Sequence, residues 1–300
     1  MDDIMRVGQL ILTSALVITV IALVCDIVVL TGRRSSVGTV HHEMETKPEA
    51  SIPPRGRERR LPRGLALYAT GFTAIGALLL GGYLVMRSVV SGYSPFANQH
   101  EFAVSFVFAI LIAYLVAEWS FRVRTLSLVA LPVAIALLVY ANSLDMAIKP
   151  LVPALKNNLM LTLHVLFAIL AYGAACVSFA AALLYLLHPY LRIRALPARD
   201  VLDAIGYKAG AVTFPLLTMM IVLGSVWAKT AWGSYWNWDP KETAALVTWL
   251  IYAGYLHARV TRGWQGARSA WLLILGFAAV LFAYFGNHFF GGLHSYGFGG

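Results

Sequence analysis

Apolar runs broken by short polar segments organise this chain. Eight stand out, at about Val7–Leu30, Leu65–Met86, Phe102–Ala117, Thr125–Tyr140, Leu159–Leu187, Ala209–Trp227, Thr243–Ala258 and Ala270–Phe290. A helix needs about 20 apolar residues to cross the hydrocarbon core, with roughly 17 as a lower limit. The pattern therefore predicts an all-α fold, a polytopic membrane bundle of about eight transmembrane helices. The third, fourth and seventh runs are short by that measure, and the third and fourth also fit a re-entrant pair. The first run exceeds a signal-peptide core, follows the acidic start Met1-Asp2-Asp3 and lacks a small-residue cleavage site. It is expected to be an anchor and not a leader. Between the first two runs, residues 31–62 are rich in charge, Pro, Gly and Ser, the composition of a linker. We divide the chain into an anchor plus basic loop (1–63), helices two to four (64–158) and a core with helices five to eight (159–300).

Composition agrees with that reading. Hydrophobic residues make up 59% of the chain, charged residues 12%, and the mean hydropathy is +0.72; a soluble domain carries roughly 25% charge. The net charge of +9 would suit a nucleic-acid binder, but its placement excludes that class. With the N-terminus outside, 17 of the 23 Lys and Arg fall on the inner loops, leaving Arg6, Arg87, Lys149, Lys156, Lys229 and Lys241 outside. The charge is thus a topology signal, with some attraction to anionic lipid, and both termini are expected on the outer, periplasmic side. Cys25 and Cys176 each sit in an apolar run and form no Cys-x-x-Cys, so both read as buried small hydrophobes.

One outer segment carries candidate chemistry, Trp232-Gly233-Ser234-Tyr235-Trp236-Asn237-Trp238-Asp239-Pro240-Lys241-Glu242-Thr243. Tryptophans gather at membrane interfaces in any case. Here three tryptophans and Tyr235 fall within seven residues, enough aromatic face to meet a flat, apolar ring system. Asp239, Pro240 and Glu242 spell an N-cap, a proline at the first helical position and the acidic partner of a capping box. Asp239 is therefore expected to start the seventh helix, in preference to touching a ligand.

Two histidines reach the same face as this segment, His164 near the outer end of the fifth run and His294 just past the eighth. A pair of imidazoles beside an aromatic platform is what bis-histidine ligation of haem iron requires. Glycines around His294 would let a bulky ring approach, and His288 is the alternative to it. His257 lies near the inner end of the seventh run, where an ionisable residue is a functional candidate. Asp26 and Glu118, near run ends, read as solvated structural groups, His100 as an outer-loop residue, and His41 and His42 as linker residues.

The Trp232–Thr243 segment resembles the tryptophan-rich (WWD) signature of the haem-handling proteins of cytochrome c biogenesis, in the form seen in the CcsA (ResC) family. Leu161-Thr-Leu-His-Val165, Tyr255-Leu-His-Ala-Arg259 and Gly292-Leu-His-Ser-Tyr296 add to the likeness, in the family's order over the second half of the chain. The resemblance implies that His164 and His294 are external axial ligands of haem b, a substrate in transit. It implies that Trp232, Gly233, Tyr235, Trp236, Trp238 and Asp239 form the binding surface. His257 would be one ligand of a transient intramembrane site, completed by a CcsB (ResB) type partner. Haem would be presented outside a bacterial cytoplasmic membrane, or in a plastid thylakoid, for thioether attachment to an apocytochrome c bearing Cys-x-x-Cys-His. The chain would then be one subunit of a holocytochrome c synthase (haem lyase) complex. Position and exclusion of water suffice for that chemistry, so no catalytic side chain is assigned. Competing readings are haem delivery to a separate chaperone (CcmC-like), a b-type cytochrome and a small-solute transporter.

Overall fold

The structure, a computed structural model, describes residues 2–31, 63–151, 155, 159–191, 193, 195–286 and 290–294. The linker and its two histidines, and His288, lie outside the described residues. Eight helices follow one another: α1 (Asp2–Thr31), α2 (Arg63–Ser91), α3 (Gln99–Phe121), α4 (Ser127–Ser143), α5 (Leu159–Leu187), α6 (Arg199–Trp232), α7 (Pro240–Arg262) and α8 (Ala267–Phe285). No strand occurs among the described residues. Among the described residues six helices are long and apolar enough to cross a membrane; α4 has 17 residues, and α7 has 23 with charged groups at both ends. The protein is a multi-pass membrane helix bundle.

Helix α3 is longer than its apolar run. Asn98 caps it by accepting from the Glu101 N–H at 2.8 Å, which brings Gln99, His100 and Glu101 into its first turn. Arg122 then ends it in the left-handed conformation (φ 54°). At 23 apolar-rich residues it can cross by itself. The centre of the bundle is α5, packed against α3, α6 and α8. Gly173 allows the close approach to α3: a Cβ there would lie 2.7 Å from the Ala109 carbonyl oxygen.

Polar groups at the helix ends tie successive elements together. At the end where α2 and α4 finish and α3 starts, Arg87 binds Glu101 (2.6 Å) and the Met146 carbonyl (2.6 Å). His100, expected in a loop, is buried in this layer, its ring nitrogens on Tyr83 Oη (2.7 Å) and the Ala141 carbonyl (2.8 Å). At the opposite end Arg124 reaches Glu118 (2.7 Å), Asp26 (3.5 Å) and Thr70 (2.7 Å). Asp26 and Glu118 are therefore not solvated as expected; they are 0% and 8% exposed, because Arg124, between α3 and α4, pairs with both and leaves water with them. Breaking such a pair by removing one partner is costly, about 3–5 kcal/mol. Arg87→Met, which strands the fully buried Glu101, is expected to lose that much, and adding Glu101→Leu to recover most of it. Thermal unfolding of the detergent-purified variants measures both.

Candidate functional site

Helix ends from across the bundle meet at the end that carries the tryptophan segment. The segment is built by three local devices. Gly233, left-handed at φ 78°, closes α6 by donating to the Lys229 carbonyl, and the Lys229 ammonium returns to the Gly233 oxygen at 2.8 Å. Ser234 Oγ donates to the Trp236 carbonyl (2.9 Å) and turns the chain. Glu242 then accepts from the N–H groups of Asn237 (2.8 Å) and Asp239 (3.3 Å), one on each side of Trp238, which holds Trp238 at φ 55°. An L residue pays roughly 1–2 kcal/mol for that conformation, and the two bonds offset it.

Asp239 caps α7 as its sequence context indicates, with the full capping box. It also does more. One carboxylate oxygen accepts from the Leu293 N–H (2.6 Å), and the other from Lys241 N–H (3.0 Å) and His294 Nδ1 (2.8 Å). Burial pushes this carboxyl up, but His294 and the two backbone donors outweigh it and hold it at about 2. Burial in turn pushes His294 below its usual value. A carboxylate can only accept, so His294 Nδ1 carries a proton, and in the neutral ring the lone pair is on Nε2. Gly292 makes the contact fit, since a Cβ there would collide with Asp239 Oδ1.

His164, on α5, has the same tautomer for a different reason. Its Nδ1 lies 2.7 Å from the Met220 carbonyl, which can only accept, so Nε2 again carries the lone pair. The ring lies parallel to Trp227 (13°, centroids 6.4 Å apart). Gly224 opens the space it occupies: a Cβ there would stand 2.6 Å from Nδ1 and 2.7 Å from Cε1. Trp227 and Trp232 meet edge to face at 4.7 Å, and His294 packs on both, at 5.8 and 4.7 Å.

His164 and His294 line one cleft, with about 1250 Å³ of unfilled space including its open mouth. Trp232, Tyr235 and Trp236 are in its wall. The remaining candidates are not: Gly233 serves as a cap, Trp238 is 69% exposed at the rim beside Trp236, and Asp239 acts through His294. His257 is exposed on α7 toward its other end, away from the cleft. Sequence reasoning missed Trp227, Gly224, Lys241 and the α3 face with Gln99 and Phe102, all in the wall. Trp227 is five residues before Trp232 on one helix, the one local signal that pointed to it.

Fold and site define a class: a helical membrane protein that holds two imidazoles and an aromatic wall around a cleft at one end. The chain belongs to the family described as Cytochrome C assembly protein, which matches residues 97–294, a range that takes in every wall residue of the cleft except Phe96. Similar proteins are the cytochrome c biogenesis protein CcsA of Gloeobacter violaceus, 34% identical over 80% of this chain and 88% of its own. That of Microcystis aeruginosa is 36% identical over 77% and 87%. Among solved structures, a cytochrome c haem lyase, CcmF, shares the fold at TM-score 0.60 and 20% identity; the match covers 93% of this chain and 46% of that one.

Proposed function

We propose that this protein is the haem-handling subunit of a CcsA-type cytochrome c maturation system, with its cleft as the site from which haem is presented. One observation carries the reading: two imidazoles, each with its Nδ1–H tied off by an acceptor, line one aromatic cleft. Metal-bound histidines take this arrangement, with the second nitrogen fixed by an outer partner. Two imidazoles are too few to hold a bare ion and suit iron whose equatorial positions are already filled. Gly224 seats the His164 imidazole, and the tryptophans of the wall offer flat faces to a ring in the cleft.

In this reading His164 and His294 are the axial ligands of haem b. Trp232, Tyr235, Trp236 and Trp227 cover its faces and exclude water, and Trp238 meets the incoming apocytochrome c at the rim. The distribution of Lys and Arg supports a cleft on the outer side, in a bacterial cytoplasmic membrane or, as the alternative, a plastid thylakoid. Exposed His257 faces a CcsB (ResB) type partner that supplies the opposing ligand of a transient site. The core 159–300 does the binding, with α3 closing the wall.

The visible spectrum of the detergent-purified protein, with and without its partner, tests the proposal. A reduced, low-spin bis-imidazole haem is expected, and Trp236→Ala should lower its occupancy more than Trp238→Ala or Trp119→Ala, since Trp119 is 85% exposed at the other end. A colourless protein in both preparations removes the haem reading and favours a solute transporter. Equal loss from all three tryptophans reduces the segment to an interfacial belt.

A further inference from the structure

We infer that Lys241 is an anion-binding subsite of the cleft, whose ammonium takes a carboxylate of the tetrapyrrole. The inference rests on the haem reading above and adds an orientation to it. Lys241 stands in the first turn of α7 and lines the cleft. Its backbone N–H is committed to Asp239, but its ammonium makes no ion pair or hydrogen bond among the described residues. What it has is the face of Phe102, 5.9 Å away.

Neighbouring carboxylates are engaged elsewhere. Asp239 accepts from His294, Leu293 and Lys241 N–H groups, and the Glu242 carboxylate accepts from Asn237 and Asp239. An ammonium in a largely apolar wall is expensive without a counter-charge. Asp239 lends the ammonium some favourable field but no direct contact, so a bound molecule is the source of a direct partner. Haem fits in kind: a flat apolar ring with two carboxylates on one edge and the vinyl groups on the opposite side. Gln99 adds a neutral donor to the same wall. Tyr140 Oη donates to its amide oxygen at 3.1 Å, which leaves the amide nitrogen as its donor end.

The consequence is directional. Axial imidazoles fix the ring plane but not its rotation in that plane. A carboxylate held at Lys241, on the α3 and α7 side, turns the vinyl edge away from that wall. Lys241 is thus a positioning residue, distinct from the iron ligands.

The test uses the full chain with its partner, depleted of haem and titrated with iron protoporphyrin IX and with its dimethyl ester. The wild type is expected to prefer the diacid by about tenfold or more, the scale of one charge-assisted hydrogen bond. Lys241→Met should bind both alike while keeping the bis-imidazole spectrum, and Lys241→Arg should restore the preference. An equal preference in wild type and Lys241→Met overturns the subsite and leaves the haem reading standing. So does a wild type that binds acid and ester equally, a result that needs no variant to fold. Failure of every form to bind either porphyrin overturns both.

Discussion

His294→Gly is expected to abolish c-type cytochrome formation while the protein still inserts and accumulates in the membrane. In the proposed reading the ring contributes a ligand nitrogen more than core packing, since it follows α8 and reaches the bundle through Asp239, Trp227 and Trp232. Removing it leaves an imidazole-shaped gap walled by two tryptophans. Free imidazole should fill that gap and restore both the spectrum and covalent haem attachment, as small ligands fill engineered cavities of their own shape. His164→Gly is expected to behave alike, with Met220 as the acceptor that orients the added imidazole. Haem staining of apocytochrome co-expressed with each variant, with and without imidazole, checks both. Normal staining in unsupplemented His294→Gly would refute the ligand assignment.

Gly224→Ala should be nearly as damaging, and imidazole should not rescue it. The added methyl carbon meets the His164 ring at 2.6 Å, and the packed interior has no slack of that size. Either the ring swings off the Met220 carbonyl or α6 retreats from α5. Both displace a ligand whose outer partner alone is worth about 10–100-fold in metal affinity. Because the original imidazole still occupies the site, a free one has nowhere to bind. Gly254→Ala is the control: no atom lies within 4 Å of that Cβ, and alanine is the better helix former by roughly 1 kcal/mol. Retained haem per folded protein, measured on purified material, separates the outcomes. Equal haem in the Gly224→Ala and Gly254→Ala variants would show that His164 tolerates a moved ring.

What the sequence made legible follows from physics that is local in the chain. Apolar runs had to be helices in a membrane: each of the eight falls on a helix, and among the described residues six of these are long and apolar enough to cross. Their ends were less legible. Helix α6 begins at Arg199, ten residues before its apolar run, because Asp203 there is neutralised by Arg259 of α7, a partner invisible to hydropathy. Asp26, Glu118 and His100 were misplaced for a related reason: Arg124, in the connection between α3 and α4, buries the two carboxylates, and Tyr83 of α2 buries the imidazole. In the site, the tryptophan segment and its capping box announced themselves because their residues are contiguous. Trp227 and Gly224 did not, since inside an apolar helix they look like any other lipid-facing or packing residue. Their roles exist only once α5 places His164 against α6. Local pattern made Asp239 a cap and resemblance put it on the binding surface; its bond to His294, 55 residues on, was in neither reading.

That second role makes the site a readout of completed assembly. The carboxylate that starts α7 is also the latch for the segment after α8, so the second imidazole arrives only when the last helix has been threaded and docked. A chain caught part-way through insertion offers His164 alone, and a single imidazole grips haem weakly. If the two imidazoles hold haem as proposed, cargo is retained by finished molecules and passed over by unfinished ones, without any separate inspection step.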